Sequence, residues 1–195
     1  PVFRIRGRVM GIVSFGKIGQ AIAERARGFG VELMVYDPYI SQSSIEKMGC
    51  RPVNKETLIR ESDFLMMQAP MTEETHHFLS FDEFKLMKSN AIVINTGRGP
   101  TIDNKALYQA LTQQEIAAAG LDDPEEEPAK RSSWDPKDNP IFSLPNVLVN
   151  PHAAYYFEES IRIARETAAT QVAKMIRGEV PDYPMNPEVL QRQQN

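Results

Sequence analysis

The residues with the clearest chemical meaning are Gly11-Ile-Val-Ser14-Phe-Gly16-Lys-Ile-Gly19, placed where an apolar run gives way to a helical pattern. A dinucleotide fingerprint uses one glycine for a tight turn, a second to let backbone approach a pyrophosphate, and a third to pack helix on strand. The pyrophosphate then sits on the helix N-terminus, where free N–H groups and the dipole favour an anion. Gly16 and Gly19 fill the second and third places, and Ser14 stands in the first. A serine lacks glycine's freedom at positive φ, so the motif predicts a slightly altered turn at a cost of about 1 kcal/mol. Asp37 lies 18 residues beyond Gly19, near the offset of the acid that grips the adenosine ribose hydroxyls. A carboxylate there repels a 2′-phosphate, which favours NAD over NADP.

Those residues need a scaffold, and the hydrophobic pattern supplies one. Short apolar runs at 9–13, 32–36, 63–68, 91–95, 117–121 and 147–149 read as strands. Between them, 16–27, 55–60, 81–87 and 104–113 read as helices, the last opening after Asp103, a good N-cap type. This alternation predicts an α/β fold with a doubly wound parallel sheet. Residues 124–145 break the rhythm with five prolines and the acids Glu125 to Glu127, and read as a long surface loop. Trp134 lies in it, open either to capping a site or to packing on a partner. A long helix follows over 157–177, with Gly178 as its C-cap and Pro181 stopping continuation.

Three further segments follow predicted strands: Asn95-Thr-Gly-Arg98-Gly99, Gly120-Leu-Asp122-Asp-Pro-Glu-Glu-Glu127-Pro128, and Asn146-Val-Leu-Val-Asn-Pro151-His152. Taken singly, Arg98 could be a surface arginine, Glu127 one of three solvated acids, and His152 a histidine in a turn. In order and spacing with the glycine motif, the four segments resemble the D-isomer-specific 2-hydroxyacid dehydrogenases over essentially the whole chain. The resemblance implies a Rossmann-type domain that binds NAD and serves a 2-hydroxy/2-oxo acid substrate. It implies that Arg98 holds the substrate carboxylate, a task suited to a planar, permanently charged fork. It makes His152 the general acid/base and Glu127 the carboxylate that orients that imidazole. The cofactor site so implied comprises Ser14, Phe15, Gly16, Lys17, Ile18, Gly19, Asp37, Pro38, Ala69, Pro70, Thr75, Thr96, Gly97, Asp122 and His152, with Thr72 a further lining of the adenosine pocket. No metal is called for. His76 and His77 read as surface residues, and Cys50 is given no role.

The resemblance also divides the chain into a cofactor domain, 1–155, and a C-terminal helix and tail, 156–195. The latter would pack on an N-terminal substrate domain that this sequence does not contain, so the chain is expected to bind NAD but turn over poorly. A homodimer through the cofactor domain is the expected assembly. The 195 residues suit one ordinary domain with an appendage. A net charge of -4 without a basic stripe disfavours nucleic acid. No apolar run approaches the roughly 20 residues of a membrane span, and the single cysteine fits a reducing, cytoplasmic compartment. Pro151-His152-Ala-Ala-Tyr155-Tyr156 also resembles the C-terminal-binding-protein corepressors, which use this fold to sense NAD(H), leaving a regulator as the alternative.

Overall fold

The computed structural model describes residues 3–125 and 135–187 of the chain. It divides into two compact units, Pro1–His152 and Ala153–Asn195.

The first unit is built on a seven-stranded sheet in which every pairing is parallel. In chain order its elements are β1 (Val9–Val13), α1 (Lys17–Ala26), β2 (Glu32–Tyr36), α2 (Gln42–Lys47), β3 (Arg51–Pro52), α3 (Lys55–Glu61), β4 (Phe64–Met67), α4 (Phe81–Leu86), β5 (Ile92–Asn95), α5 (Asn104–Thr112), β6 (Ala118–Leu121) and β7 (Val147–Val149). The strand order is β3-β2-β1-β4-β5-β6-β7. The order therefore reverses between β1 and β4, the point at which doubly wound sheets open a crevice at their carboxyl edge.

Side chains alternate across the strands and separate two cores. Ile12, Leu33 and Val35 face one side, with Ala23 and Ala26 of α1 and Ile45 of α2. Val13, Met34, Leu65 and Met67 face the other, with Leu58 of α3, Phe84 of α4 and Leu107 of α5. Helices cover both faces, so the strands can be almost wholly apolar.

The caps explain where several helices begin. The Asp103 carboxylate accepts the N–H groups of Lys105 and Ala106 at 2.9 and 3.1 Å. Asn54 accepts the Thr57 N–H at 2.8 Å and starts α3. The predicted helix over 16–27 is α1, with Gly16 as its N-cap and Arg27 already in a tighter turn. Two elements differ from the predicted pattern. α2 is capped by Ser41 and buries only Ile45. β3 is two residues at the sheet edge, where Pro52 stands opposite Val35 and the ladder bond to Val35 O comes instead from the Val53 N–H at 2.9 Å.

The second unit contains α6 (Glu158–Ile176). Glu158 and Glu159 occupy its first turn, where the helix dipole favours acids. Gly178 follows at φ 75 and lets the Glu179 N–H reach back to Lys174 O at 2.9 Å. Asp182 accepts from Lys174 and from Gln171, folding the following segment onto the helix. No described helix is long and apolar enough to cross a membrane.

Candidate functional site

The glycine loop joins β1 to α1 at the carboxyl edge of the sheet. Where the sequence predicts an altered turn at Ser14, the chain keeps the left-handed conformation a glycine would take, with φ 73. Its neighbours enforce it. The Ser14 N–H donates to Tyr36 O at 2.9 Å, and the Phe15 N–H donates to Asp37 Oδ2 at 2.7 Å. Gly19 is required by close packing, because a Cβ there would stand 2.4 Å from Ser14 O. Gly16 differs: a Cβ there would meet nothing within 4 Å. No protein atom demands glycine at that position, so the demand falls on whatever lies over the loop. The α1 N-terminus behind it carries no side-chain cap and no acid in its first turn. Open backbone donors beneath an open approach fit a pyrophosphate.

Asp37 closes β2. Its Oδ1 accepts the N–H groups of Tyr39 and Ile40 at 2.8 and 3.2 Å, while Oδ2 holds Phe15. Beyond it lies a pocket lined by Tyr36, Pro38, Ile40, Ala69, Pro70 and Phe78, with Thr72 and Thr75 at its rim. Its apolar floor and acidic corner suit an adenosine. The Tyr39 hydroxyl donates to Glu74 across this pocket, and the accepting carboxylate pushes the Tyr39 phenol above its usual range.

A second depression runs from Gly16, Lys17, Ile18 and Gly19 past Ala69 and Pro70 to Thr96, Gly97 and Arg98. The two share Ser14, Gly16, Ala69 and Pro70, so they form one groove across the ends of β2, β1, β4 and β5. Gln68 donates to Thr96 Oγ1 at 2.6 Å and ties β4 to β5 there.

Arg98 follows β5, Asp122 follows β6, and His152 stands three residues beyond β7. Parallel strands place all three at the same edge, in order along the sheet. The buried Asn95 shapes the arginine turn: it accepts the Gly97 N–H at 2.9 Å and donates to Arg98 O at 3.0 Å. Gly99 passes under Pro124, and its N–H donates to Asp123 Oδ2 at 3.3 Å. The Arg98 side chain is exposed. The His152 N–H donates to Asp122 O at 2.9 Å, which fastens the turn after β7 to that after β6.

The structure thus gathers twelve of the anticipated cofactor residues around one groove: Ser14, Gly16, Lys17, Ile18, Gly19, Asp37, Pro38, Ala69, Pro70, Thr75, Thr96 and Gly97. Phe15 meets it through backbone only, since its ring is 1% exposed in the α1-side core. Asp122 and His152 lie along the same edge, outside that groove lining. Glu127 and Trp134 lie outside the described residues. His77 is not the surface residue the sequence predicts. It is half-buried, and its Nε2 bonds Glu125 Oε1 at 2.6 Å. Tyr39, Glu74, Gln68 and Phe78 also line the site, although the sequence reading does not include them. Tyr39 had a usable signal, standing two residues past the strand-ending acid.

Residues 1–154 match the model of the D-isomer specific 2-hydroxyacid dehydrogenase NAD binding domain. The chain is 40% identical over 188 residues to a glyoxylate reductase of Korarchaeum cryptofilum, covering 96% of this chain and 55% of that protein. It is 40% identical over 181 residues to a D-3-phosphoglycerate dehydrogenase of Methanocaldococcus jannaschii, covering 92% of this chain and 33% of that one. The chain therefore spans about half the length of the first relative and a third of the second. Among solved structures it is similar to D-lactate dehydrogenase with NAD+ from Lactobacillus jensenii, with TM-score 0.83, 28% identity, and coverage of 93% and 56%. It also resembles D-lactate dehydrogenase from Aquifex aeolicus complexed with NAD and lactic acid, with TM-score 0.81, 30% identity, and coverage of 88% and 54%. These likenesses give the corepressor alternative no support.

Proposed function

Since this chain belongs to the D-isomer specific 2-hydroxyacid dehydrogenase family as an NAD-binding domain, we propose that it serves an oxidoreductase that interconverts 2-hydroxy and 2-oxo acids. The observation that carries this reading is the single groove running from Asp37, over the uncapped α1 N-terminus, to Arg98. Asp37 takes the adenosine ribose hydroxyls, and the N–H groups behind Gly16 face the pyrophosphate. Thr96, Gly97 and Asp122 receive the nicotinamide end. NAD(H), when bound, supplies or accepts the hydride at C2 of the acid.

The chain's own groups do the rest. Arg98 anchors the substrate carboxylate and polarises the neighbouring carbonyl. His152 delivers a proton to the carbonyl oxygen during reduction and recovers it in the reverse direction. Glu127 orients that imidazole. The assembly proposed with it is a homodimer through the cofactor domain, while the exposed Ile163, Val172 and Met175 on α6, a helix with no buried residue, support packing of that helix on a substrate domain. A cytoplasmic location is supported by the single free, buried Cys50.

Calorimetric titration with NADH and NADPH tests the reading. NADH is expected to bind at least tenfold more tightly. Equal affinities would remove Asp37 from its role, and no binding to either would remove the groove from its own. In the active enzyme, Arg98→Ala is expected to abolish 2-oxo acid turnover while NADH affinity stays within about threefold.

A further inference from the structure

Beside the cofactor groove, on the rim of the same sheet edge, stands a group of side chains that the dinucleotide reading does not use. His76 and His77 are consecutive, yet their rings stack at 3.9 Å between centroids and 24° between planes. His77 is held in the left-handed region at φ 49, with its N–H donating to Pro100 O at 2.8 Å. This conformation turns two neighbouring imidazoles to one side, where an extended chain would send them apart.

Glu125 meets them from a segment 48 residues away, its Oε1 at 2.6 Å from His77 Nε2. Its other oxygen accepts the Asn104 N–H at 2.9 Å, which fixes the carboxylate in place. One donor atom from each of His76, His77 and Glu125 falls within 4.8 Å of the others. Behind His77, Nδ1 faces Asp103 Oδ2 at 3.7 Å. Asp103 is itself held by Ser80 and by the α5 N-terminus.

We propose that His76, His77 and Glu125 form a binding site for a divalent transition-metal ion of the zinc type, with Asp103 orienting His77 from behind. Two imidazoles and a carboxylate are a zinc donor set with a coordination position left over. Such donors, borderline in hardness, select zinc or its neighbours over magnesium or calcium. A carboxylate that accepts from the second ring nitrogen fixes the tautomer of a metal-bound histidine, and Asp103, 3.7 Å from Nδ1, needs only a small ring shift to do so. Ligand distances near 2 Å place tetrahedral donors roughly 3.3 Å apart. The His77–Glu125 pair, hydrogen-bonded at 2.6 Å, opens by less than about 1 Å to admit the ion, and rotation of the exposed His76 closes the remaining gap. The ion would fasten two segments, the 70–79 loop that lines the adenosine pocket and the chain at Glu125, two residues before Glu127, and the turn after Arg98 backs them through Pro100 and Asp103.

The test is calorimetric titration of the chain with Zn2+, and separately with Mg2+, in buffer without chelating components. One saturable Zn2+ equivalent is expected, with no comparable Mg2+ heat. Glu125→Gln keeps an oxygen for the Asn104 N–H but removes the anionic ligand, and His76→Ala removes an exposed ligand. Each should weaken Zn2+ at least tenfold, while circular dichroism and thermal melting without metal stay near wild type. No saturable Zn2+ binding, or unchanged affinity in both variants, overturns the site. If Glu125→Gln melts early, His76→Ala decides alone.

Discussion

The N–H of Phe15 donates to Oδ2 of Asp37 at 2.7 Å, so the acid that ends β2 also clamps the loop that begins α1. Asp37 serves the chain first, holding three backbone N–H groups between its two oxygens. Asp37→Ala is therefore expected to act twice. NADH affinity falls at least tenfold while NADPH affinity is kept, and stability falls by roughly 1–2 kcal/mol as backbone donors lose their acceptor. Titration with both cofactors beside a denaturant melt separates the two effects. An unchanged NADH affinity would exclude Asp37 from the ribose.

Ser14 at φ 73 stores backbone strain that its hydrogen-bonded neighbours maintain. Glycine relieves it but loosens the unfolded chain, and the two effects nearly balance. Ser14→Gly should stabilise by roughly 0.5 kcal/mol, and Ser14→Val should destabilise, because a β-branched residue tolerates positive φ least. Thermal melts should rank glycine above serine above valine. Serine above glycine would mean that its side chain contributes something the backbone geometry does not reveal.

What could be read from the sequence was set by how local each cause is. Gly19 and Asp37 are legible because a close approach and a strand end constrain residue type on the spot, and Gly16 because its spacing in the fingerprint marks it although no protein atom demands a glycine there. The long apolar strands declared themselves for the same reason. α2 escaped because six residues with Ser43 and Ser44 in the first turn bury only Ile45 and show no period. β3 escaped because two residues ending in proline resemble a loop. In the site, Gln68 acquires its meaning from Thr96, 28 residues on, and His77 from Glu125, 48 residues on. Tyr39 and Glu74 meet across 35 residues. Such pairings arise only once the parallel sheet brings loop ends together.

Gly99 illustrates the same dependence. It follows Arg98 directly, and a Cβ there would lie 2.5 Å from Pro124 C and O and 2.6 Å from Glu125 N. These are backbone atoms and cannot rotate aside. Gly99→Ala should cost about 2–3 kcal/mol, near the upper range of overpacking, and should displace the Arg98 turn from the segment leading to Glu127. The comparison to make is the melt of Gly99→Ala against Gly16→Ala, whose Cβ meets nothing. The first should melt early with NADH binding weakened only modestly, and the second should melt normally yet bind NADH poorly. The opposite pattern would mean that the crowding lies at Gly16.

Asp63 predicts how stability responds to acid. Its carboxylate starts β4 and is 6% exposed. It accepts the Val9 N–H at 2.9 Å and meets Arg8 and Lys88 at 3.2 Å each. Burial opposes its ionisation, but the Val9 N–H and the Lys88 and Arg8 cations outweigh burial and hold its carboxyl below the ordinary range. A carboxylate depressed in the folded state contributes stability above the unfolded value of about 3.9, and that contribution is lost as pH falls through the folded value. Asp63→Asn should thus be less stable at pH 7 by roughly 2–3 kcal/mol, the scale of charge-assisted hydrogen bonds lost from a largely buried group. Below pH 4 the deficit should shrink, because the unfolded wild-type chain then binds a proton that the folded carboxylate takes up only at lower pH. Denaturant melts of both proteins from pH 7 to pH 3 should converge on the acid side. A constant difference across that range would assign the loss to packing and leave the ion pairs without weight.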